Sequence, residues 1–391
     1  MASESLKDAS TDELFESLII EAQFVPGDSR VFEEGQEVKW LDMDLAQSGQ
    51  KFFQKYYASI LFAHSLYLGL GFGFKPVTGV VIKTGGFKGI ARTTKRVLAT
   101  IWHVVRWYET DIIGKYAAGF KAIANIRCTH DAIRRKCGRA KAELDFDGED
   151  DENDVQKSDP VSTALQSDLA FLDMSTFDRM DLSYDPPEHM SQFSMAMTQI
   201  SFLLPVIAHP TAFGIHDTKG FEGFEHLWAL IGHLSGLDDR YNIPLQKPGK
   251  EFYVKFWKEV FIPSFLVRDS KINAIQESYF SIAGGSLPQM SIPATFYFFL
   301  GQSEIEGFKG KELYKLLNWK DKIIIFLFSF VFAIFRYLPI LRNLVNSAAR
   351  RVMKGVLEKY AKEEDVENNQ FTTLPKNTQE GSARIEPRRL K

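Results

Sequence analysis

Residues 93–111, TTKRVLATIWHVVRWYETD, decide the fold class. Val97, Leu98, Ile101, Val104 and Val105 recur at the three-and-four spacing of one helical face, which predicts a helix over 93–108. The neighbouring segments repeat the pattern. Residues 115–139 read as a second helix, basic in its second half through Arg127, Arg134, Arg135, Lys136 and Arg139. From residue 165 onward helical segments alternate with short breaks such as DPPEH at 185–189. SQFSMAMTQISFLLPVIAHPTAFGI (191–215) reads as a long apolar helix in which Pro205 is a kink or a stop. Runs of alternating β-branched residues are sparse, so the expected class is all-α, built as one large helical domain.

Composition permits such a domain. The chain has 391 residues, 45% apolar and 25% charged, which is globular rather than disordered. Phenylalanine occurs 33 times, which suits an apolar ligand but more simply a packed interior. A net charge of -3, with no basic and aromatic stripe, argues against nucleic acid as a partner. Cys128 and Cys137 are the only cysteines; their spacing matches no zinc pattern and points to a reducing compartment.

The organisation read along the chain is as follows. Residues 1–45 are a loose lead-in with one amphipathic helix near 12–24, capped by Ser10 or Thr11. The acidic, polar N-terminus lacks a basic region followed by an apolar one, so it is not read as a secretory or mitochondrial leader, and the bulk of the protein is expected to face the cytosol. Residues 46–310 form the main domain. Within it, 52–73 are strongly apolar but carry Lys55 and His64, which favours a buried helix over a membrane span. Gly69, Gly71 and Gly73 follow, suited to close packing or to a flat ligand. Residues 142–159 are an acidic surface loop.

Residues 311–362 form an apolar and basic helical segment. Residues 323–335 are uncharged and apolar but number only 13, fewer than a span needs. Trp319, Lys320, Lys322, Arg336 and Tyr337 flank them, residue types that settle at a membrane interface. Interfacial or re-entrant anchoring is favoured here over a span or a buried helix. Residues 363–391 read as a disordered tail.

Three residues carry the candidate chemistry. Arg96 and Thr100 lie four apart and project from one helical face. An arginine on such an apolar helix needs a partner if it faces inward. His130, between Ile126 and Ile133, also sits near an apolar face, where a neutral imidazole is either an iron ligand or a structural histidine. No His-Glu-x-x-His, Glu-x-x-His or Gly-x-Ser-x-Gly motif is present.

The order and spacing of Arg96, Thr100 and His130 resemble the latex-clearing, rubber-oxygenase family, which includes a fungal oxygenase bound to the endoplasmic reticulum. Phe224, Leu227, Trp228, Ile231, Gly232, Gly236 and Leu237 resemble a further helix motif of that family. The resemblance covers roughly residues 55–300. It implies a globin-like helical core and a haem b whose iron is held by His130. With no Cys-x-x-Cys-His motif, such a haem is held noncovalently. Arg96 and Thr100 would lie beside the haem, both as cofactor-binding and as catalytic residues. The implied reaction is oxidative cleavage of a carbon–carbon double bond by O2, in an apolar isoprenoid or lipid-like substrate, at the endoplasmic reticulum membrane. The alternative is a catalytically inactive, membrane-associated helical protein that binds a lipid or terpenoid. The sequence departs from the family in two places. Ala99 stands where some members carry a lysine that can reach the iron, and KPVTGVVIKTGG (75–86) has no carboxylate where the family has a proposed base. His103, one turn beyond Thr100, is a candidate sixth ligand or a surface histidine.

Overall fold

The computed structural model describes residues 10–27, 38–85, 87, 89–112, 117–139, 159–180, 182–186, 188–283, 290–303 and 305–364. Among these, every long element is a helix and no strand occurs; Pro26 and Ser191 form an isolated bridge. In chain order the helices are α1 (Thr11–Ile19), α2 (Met43–Lys55), α3 (Tyr57–Gly71), α4 (Lys75–Lys83), α5 (Ile90–Glu109), α6 (Ala118–Arg139), α7 (Pro160–Asp168) and α8 (Gln192–Ile207). They continue as α9 (Phe221–Ser235), α10 (Gly249–Phe256), α11 (Ser270–Ala283), α12 (Ile292–Gln302), α13 (Lys311–Leu316), α14 (Trp319–Ile334) and α15 (Pro339–Glu364). The all-α expectation holds. The acidic stretch 142–158 and the tail beyond residue 364 lie outside the described residues.

The N-terminal expectation needs correction. Ser10 caps α1 in a capping box with Glu13, as its sequence suggests. Far from being a loose lead-in, α1 buries Leu14, Phe15, Leu18 and Ile19 in the main core. An amphipathic helix this short gains its stability from that packing rather than from propensity.

Helix α3 is the centre of the bundle. It is apolar on all sides and buried along its length, as expected for this stretch, but the single helix read over 52–73 is broken at Tyr56, and Lys55 belongs to the end of α2. His64 within it places its Nε2 2.8 Å from the Tyr108 hydroxyl, while its buried Nδ1 has no hydrogen-bond partner among the described residues. Tyr108 in turn accepts from Trp228 Nε1 at 2.8 Å and stacks on Phe53 with ring centroids 3.8 Å apart. This chain ties α3, α5 and α9 together through groups that water cannot reach. Burial holds the His64 pKa down at about 3, so the ring is neutral and accepts the tyrosine proton.

Helices α2 and α9 touch through glycine. A Cβ on Gly49 would fall 2.2 Å from the Gly223 carbonyl oxygen, so neither position tolerates a side chain at this separation. Elsewhere the abundant aromatic residues pack on one another. Phe299 meets Tyr67 at 4.2 Å and Trp257 at 4.5 Å between ring centroids, and Tyr67 and Trp257 are 5.8 Å apart.

The C-terminal helices seat on the same core. Phe332 and Phe335 of this region are buried, and Phe332 packs on Phe62 and Phe213. Asp321 caps α14 together with Asn318 and accepts from the Ser291 hydroxyl at 2.9 Å, which fixes α14 to the start of α12. Asn346 of α15 is buried and bridges the break between α2 and α3. It donates to the Lys55 carbonyl at 2.9 Å and accepts from the Ala58 amide at 3.0 Å.

Tyr108→Phe removes the shared hydroxyl and leaves Trp228 Nε1 and His64 Nε2 unpaired in the interior. The expected cost is about 2–3 kcal/mol of unfolding free energy, read by urea denaturation. A midpoint equal to that of the parent would show that the chain of hydrogen bonds contributes no net stability.

Candidate functional site

One face from each of six helices encloses a cavity of about 270 Å³, near the lower end of ligand-pocket size, roughly 300–1,000 Å³. The helical period explains the lining. On α5 the wall residues are Arg96, Thr100, Val104 and Trp107, a single stripe. On α6 they are Ile126 and His130. On α4, Val77, Val80 and Val81 repeat the same spacing, and on α9 Trp228, Ile231, Gly232 and Ser235 do so. Leu68, Gly71 and Phe72 close the α3 side, while Ser194, Met195, Thr198, Ser201 and Phe202 supply the α8 side.

Glycine keeps two of these walls close. Gly232 would place a Cβ 2.4 Å from Gln199 Nε2, so α9 approaches α8 only because that position is bare. Gly236 ends α9 in the left-handed conformation, with φ of 102°, and turns the chain so that Leu237 joins the lining.

The structure therefore brings Arg96, Thr100 and His130 onto one cavity. Both ionisable side chains are only partly accessible, and both line the cavity. His130 has its pKa lowered to about 4, first because surrounding protein displaces water and second because the Arg96 charge repels a proton. Its imidazole is neutral at pH 7 and offers a lone pair. Its Nδ1 is buried, and no described residue hydrogen-bonds to it. Desolvation also lowers the Arg96 pKa, and Arg96 donates only to Thr84 Oγ1, at 3.3 Å. No carboxylate among the described residues pairs with it. Thr100 spends its hydroxyl on the Arg96 carbonyl at 3.0 Å, so at rest it stiffens the helix.

No aspartate or glutamate occurs among the described residues of the wall. This agrees with the absence of a carboxylate in 75–86, since α4 contributes only valines. Arg127, Arg134 and Arg135, whose basic run marks α6 in the sequence, do not line the cavity. The cation that does is Arg96.

His103 departs from its expected place. It is 6% exposed, a buried residue rather than a surface one, and it is absent from the cavity wall. Burial, the nearby charge of Arg106 and the neighbouring His130 lower its pKa to about 4. Cys128 is exposed and Cys137 buried on the same helix, both as free thiols. Among the described residues no cluster of three or more His, Cys, Asp or Glu side chains is placed to hold a bare metal ion.

Sequence reasoning passed over the polar residues of α8. Gln199 Nε2 donates to the Trp228 carbonyl at 2.8 Å and to Asn242 Oδ1 at 2.9 Å, while its buried Oε1 has no hydrogen-bond partner among the described residues. Gln199 is itself one of the lining residues. The available signal was a glutamine and a threonine inside an otherwise apolar helix, a placement that demands partners.

Comparison with protein-family models, curated proteins and solved structures finds no match for this chain. The likeness to rubber oxygenases thus rests on the quoted motifs alone. The side chains can be tested against the haem that likeness implies. An apolar slot, a neutral histidine with an unpartnered ring nitrogen and an arginine without a carboxylate suit a haem edge and its propionates, so the donor set fits the group.

The four deeply placed histidines set a pH dependence. His64 and His209 have pKa values of about 3, and His103 and His130 of about 4, all below an unfolded value of roughly 6.5. The unfolded chain therefore binds more protons in this range. The histidines' contribution to stability is fully present above about pH 6.5 and is lost as pH drops toward 4, by up to about 1.4 kcal/mol per pH unit for each histidine. His130→Leu is expected to make the fall shallower by one proton's share, measured by urea unfolding at pH 7, 6 and 5. Identical slopes for parent and variant would show that His130 titrates normally in the folded protein.

Proposed function

We propose that the cavity binds haem b and that the protein is an O2-dependent oxygenase cleaving a carbon–carbon double bond in an apolar isoprenoid or lipid-like substrate. The observation that carries this reading is the convergence, in one apolar cavity, of a neutral, partly orphaned His130 with an Arg96 that meets no carboxylate among the described residues. When bound in its ferrous form, haem b supplies the O2 chemistry.

The remaining work falls to the chain. His130 would hold the iron, and its low proton affinity keeps the lone pair available at neutral pH. Arg96 would pair with a carboxylate at the haem edge, which would relieve the cost of an unpaired buried cation. Thr100, one turn away, stands where its hydroxyl can turn from the Arg96 carbonyl toward a bound ligand. Val80, Val81, Phe72 and Phe202 offer the apolar surface that an isoprenoid chain needs, and exclude water from it.

A second reading has its own support. The described wall has no carboxylate, so a general base of that kind is absent. That favours a noncatalytic protein that stores or carries a lipid or terpenoid in the same cavity, with Arg96 on an acidic headgroup.

Absorption spectra of the purified chain, oxidised and reduced with dithionite, separate the two. The haem reading expects a Soret band at one haem per chain, its loss in His130→Ala with the helical circular dichroism retained, and a roughly tenfold weaker haem affinity in Arg96→Met. Absence of the band after haem reconstitution would reject the oxygenase and leave the lipid carrier. A full haem complement in His130→Ala would reject the ligand assignment.

A further inference from the structure

Helix α14 has two unlike faces. The inner one carries Phe332 and Asp321 into the core. The outer one presents Ile323, Phe326, Leu327 and Phe330 to solvent at helical spacing, with Phe326 65% exposed. Trp319, 67% exposed, stands at the start of this face, and Tyr337, 74% exposed, follows its end. Leu338 and Ile340 extend the exposed apolar surface through the turn into α15, where Leu344 continues it. Soluble proteins seldom leave so many large apolar side chains together in water.

The exposed charges around this face are mostly positive. Lys320, Lys322, Arg336 and Arg351 are exposed between residues 319 and 357, as is Lys354, which pairs with Glu358 just beyond. The single acid in that stretch, Asp321, is buried against Ser291. Arg342 and Arg350 turn inward, over the rings of Tyr56 and Tyr57.

We propose that α14 and the turn into α15 dock this protein onto the anionic leaflet of a lipid bilayer, with α14 lying along the interface. A helix of 16 residues is about 24 Å long, short of the roughly 30 Å hydrocarbon core. Among the described residues no single helix is long and apolar enough to cross a membrane. The bent pair α3 and α4, which passes such a test jointly, has α3 at the centre of the core. With α14 pinned by Asp321 and Phe332, the outer side chains enter the headgroup region while the inner ones stay in the protein. Aromatic residues at both ends suit the water–lipid boundary, and the exposed bases suit anionic headgroups. A symmetric second copy would instead bring these bases against one another. The proposal is independent of what the cavity binds.

Co-sedimentation of the full chain with vesicles tests it. Binding is expected with phosphatidylcholine vesicles that contain phosphatidylserine, weaker with phosphatidylcholine alone, and reduced by salt. The double variant Phe326→Asp, Phe330→Asp changes only exposed positions. It is expected to keep the thermal midpoint and lower the partition coefficient by about tenfold or more. Lys320→Glu with Lys322→Glu is expected to reduce binding to the anionic vesicles selectively. The proposal fails if the parent chain remains in the supernatant with anionic vesicles. It fails equally if the aspartate variant binds as well as the parent. A dimer in solution that the aspartate variant dissolves, without vesicle binding by either, would assign the face to a second copy.

Discussion

An arginine and a histidine share an apolar cavity whose described wall carries no acid, and much of the architecture bears on that constraint. A buried cation without a counter-charge costs several kcal/mol unless something else solvates it. Thr84 supplies Arg96 with one hydrogen bond at 3.3 Å, which offsets a small part. The Arg96 charge then acts on its neighbour by lowering the proton affinity of His130. The two residues are one electrostatic unit: whatever anion approaches Arg96 also raises the pKa of His130. On the proposed reading, the occupant brings negative charge to the arginine and an electron-pair acceptor to the histidine.

Keeping the cavity open requires rigid walls, because an apolar interior otherwise collapses toward close packing. The walls are held by polar pins placed behind the lining. Tyr108 links Trp228 to His64, Gln199 links α8 to the Trp228 carbonyl, and Asn346 clamps the break between α2 and α3. The glycines at Gly49, Gly223 and Gly232 set how near the helices come. Bulky aromatic pairs around Tyr67 and Trp257 fill the neighbouring interior.

Local periodicity made the helices legible in the sequence. The stripe through Arg96, Thr100, Val104 and Trp107 is a property of residues close in the chain, and so is the pairing of Ile126 with His130. The apolar character of 52–73 likewise marked buried helix, though not the break at Tyr56 that divides it between α2 and α3. What periodicity cannot carry is the meeting of distant segments. The burial of His103 depends on neighbours from outside α5, which its own helix does not reveal. The docking of α1 depends on α8 and α10 accepting its apolar face, so a short amphipathic segment looked like a loose lead-in. Gln199 was hidden for the same reason, since its partners, Trp228 and Asn242, lie about 30 and 43 residues away.

The segment 319–340 shows the opposite case, in which composition left several readings open and burial divides them by face. Its apolar residues number too few for a span and too many for a solvated helix. The fold resolves the conflict by using the two faces differently. Phe332 is sequestered against Phe62 and Phe213, while Phe326 and Phe330, stacked on each other at 5.9 Å, stay outside. Packing alone accounts for the inner phenylalanines. It gives no account of the outer pair, whose substitution by polar residues would cost the folded chain little. A surface that folding does not need, and that aggregation penalises, calls for a partner that recovers its apolar area.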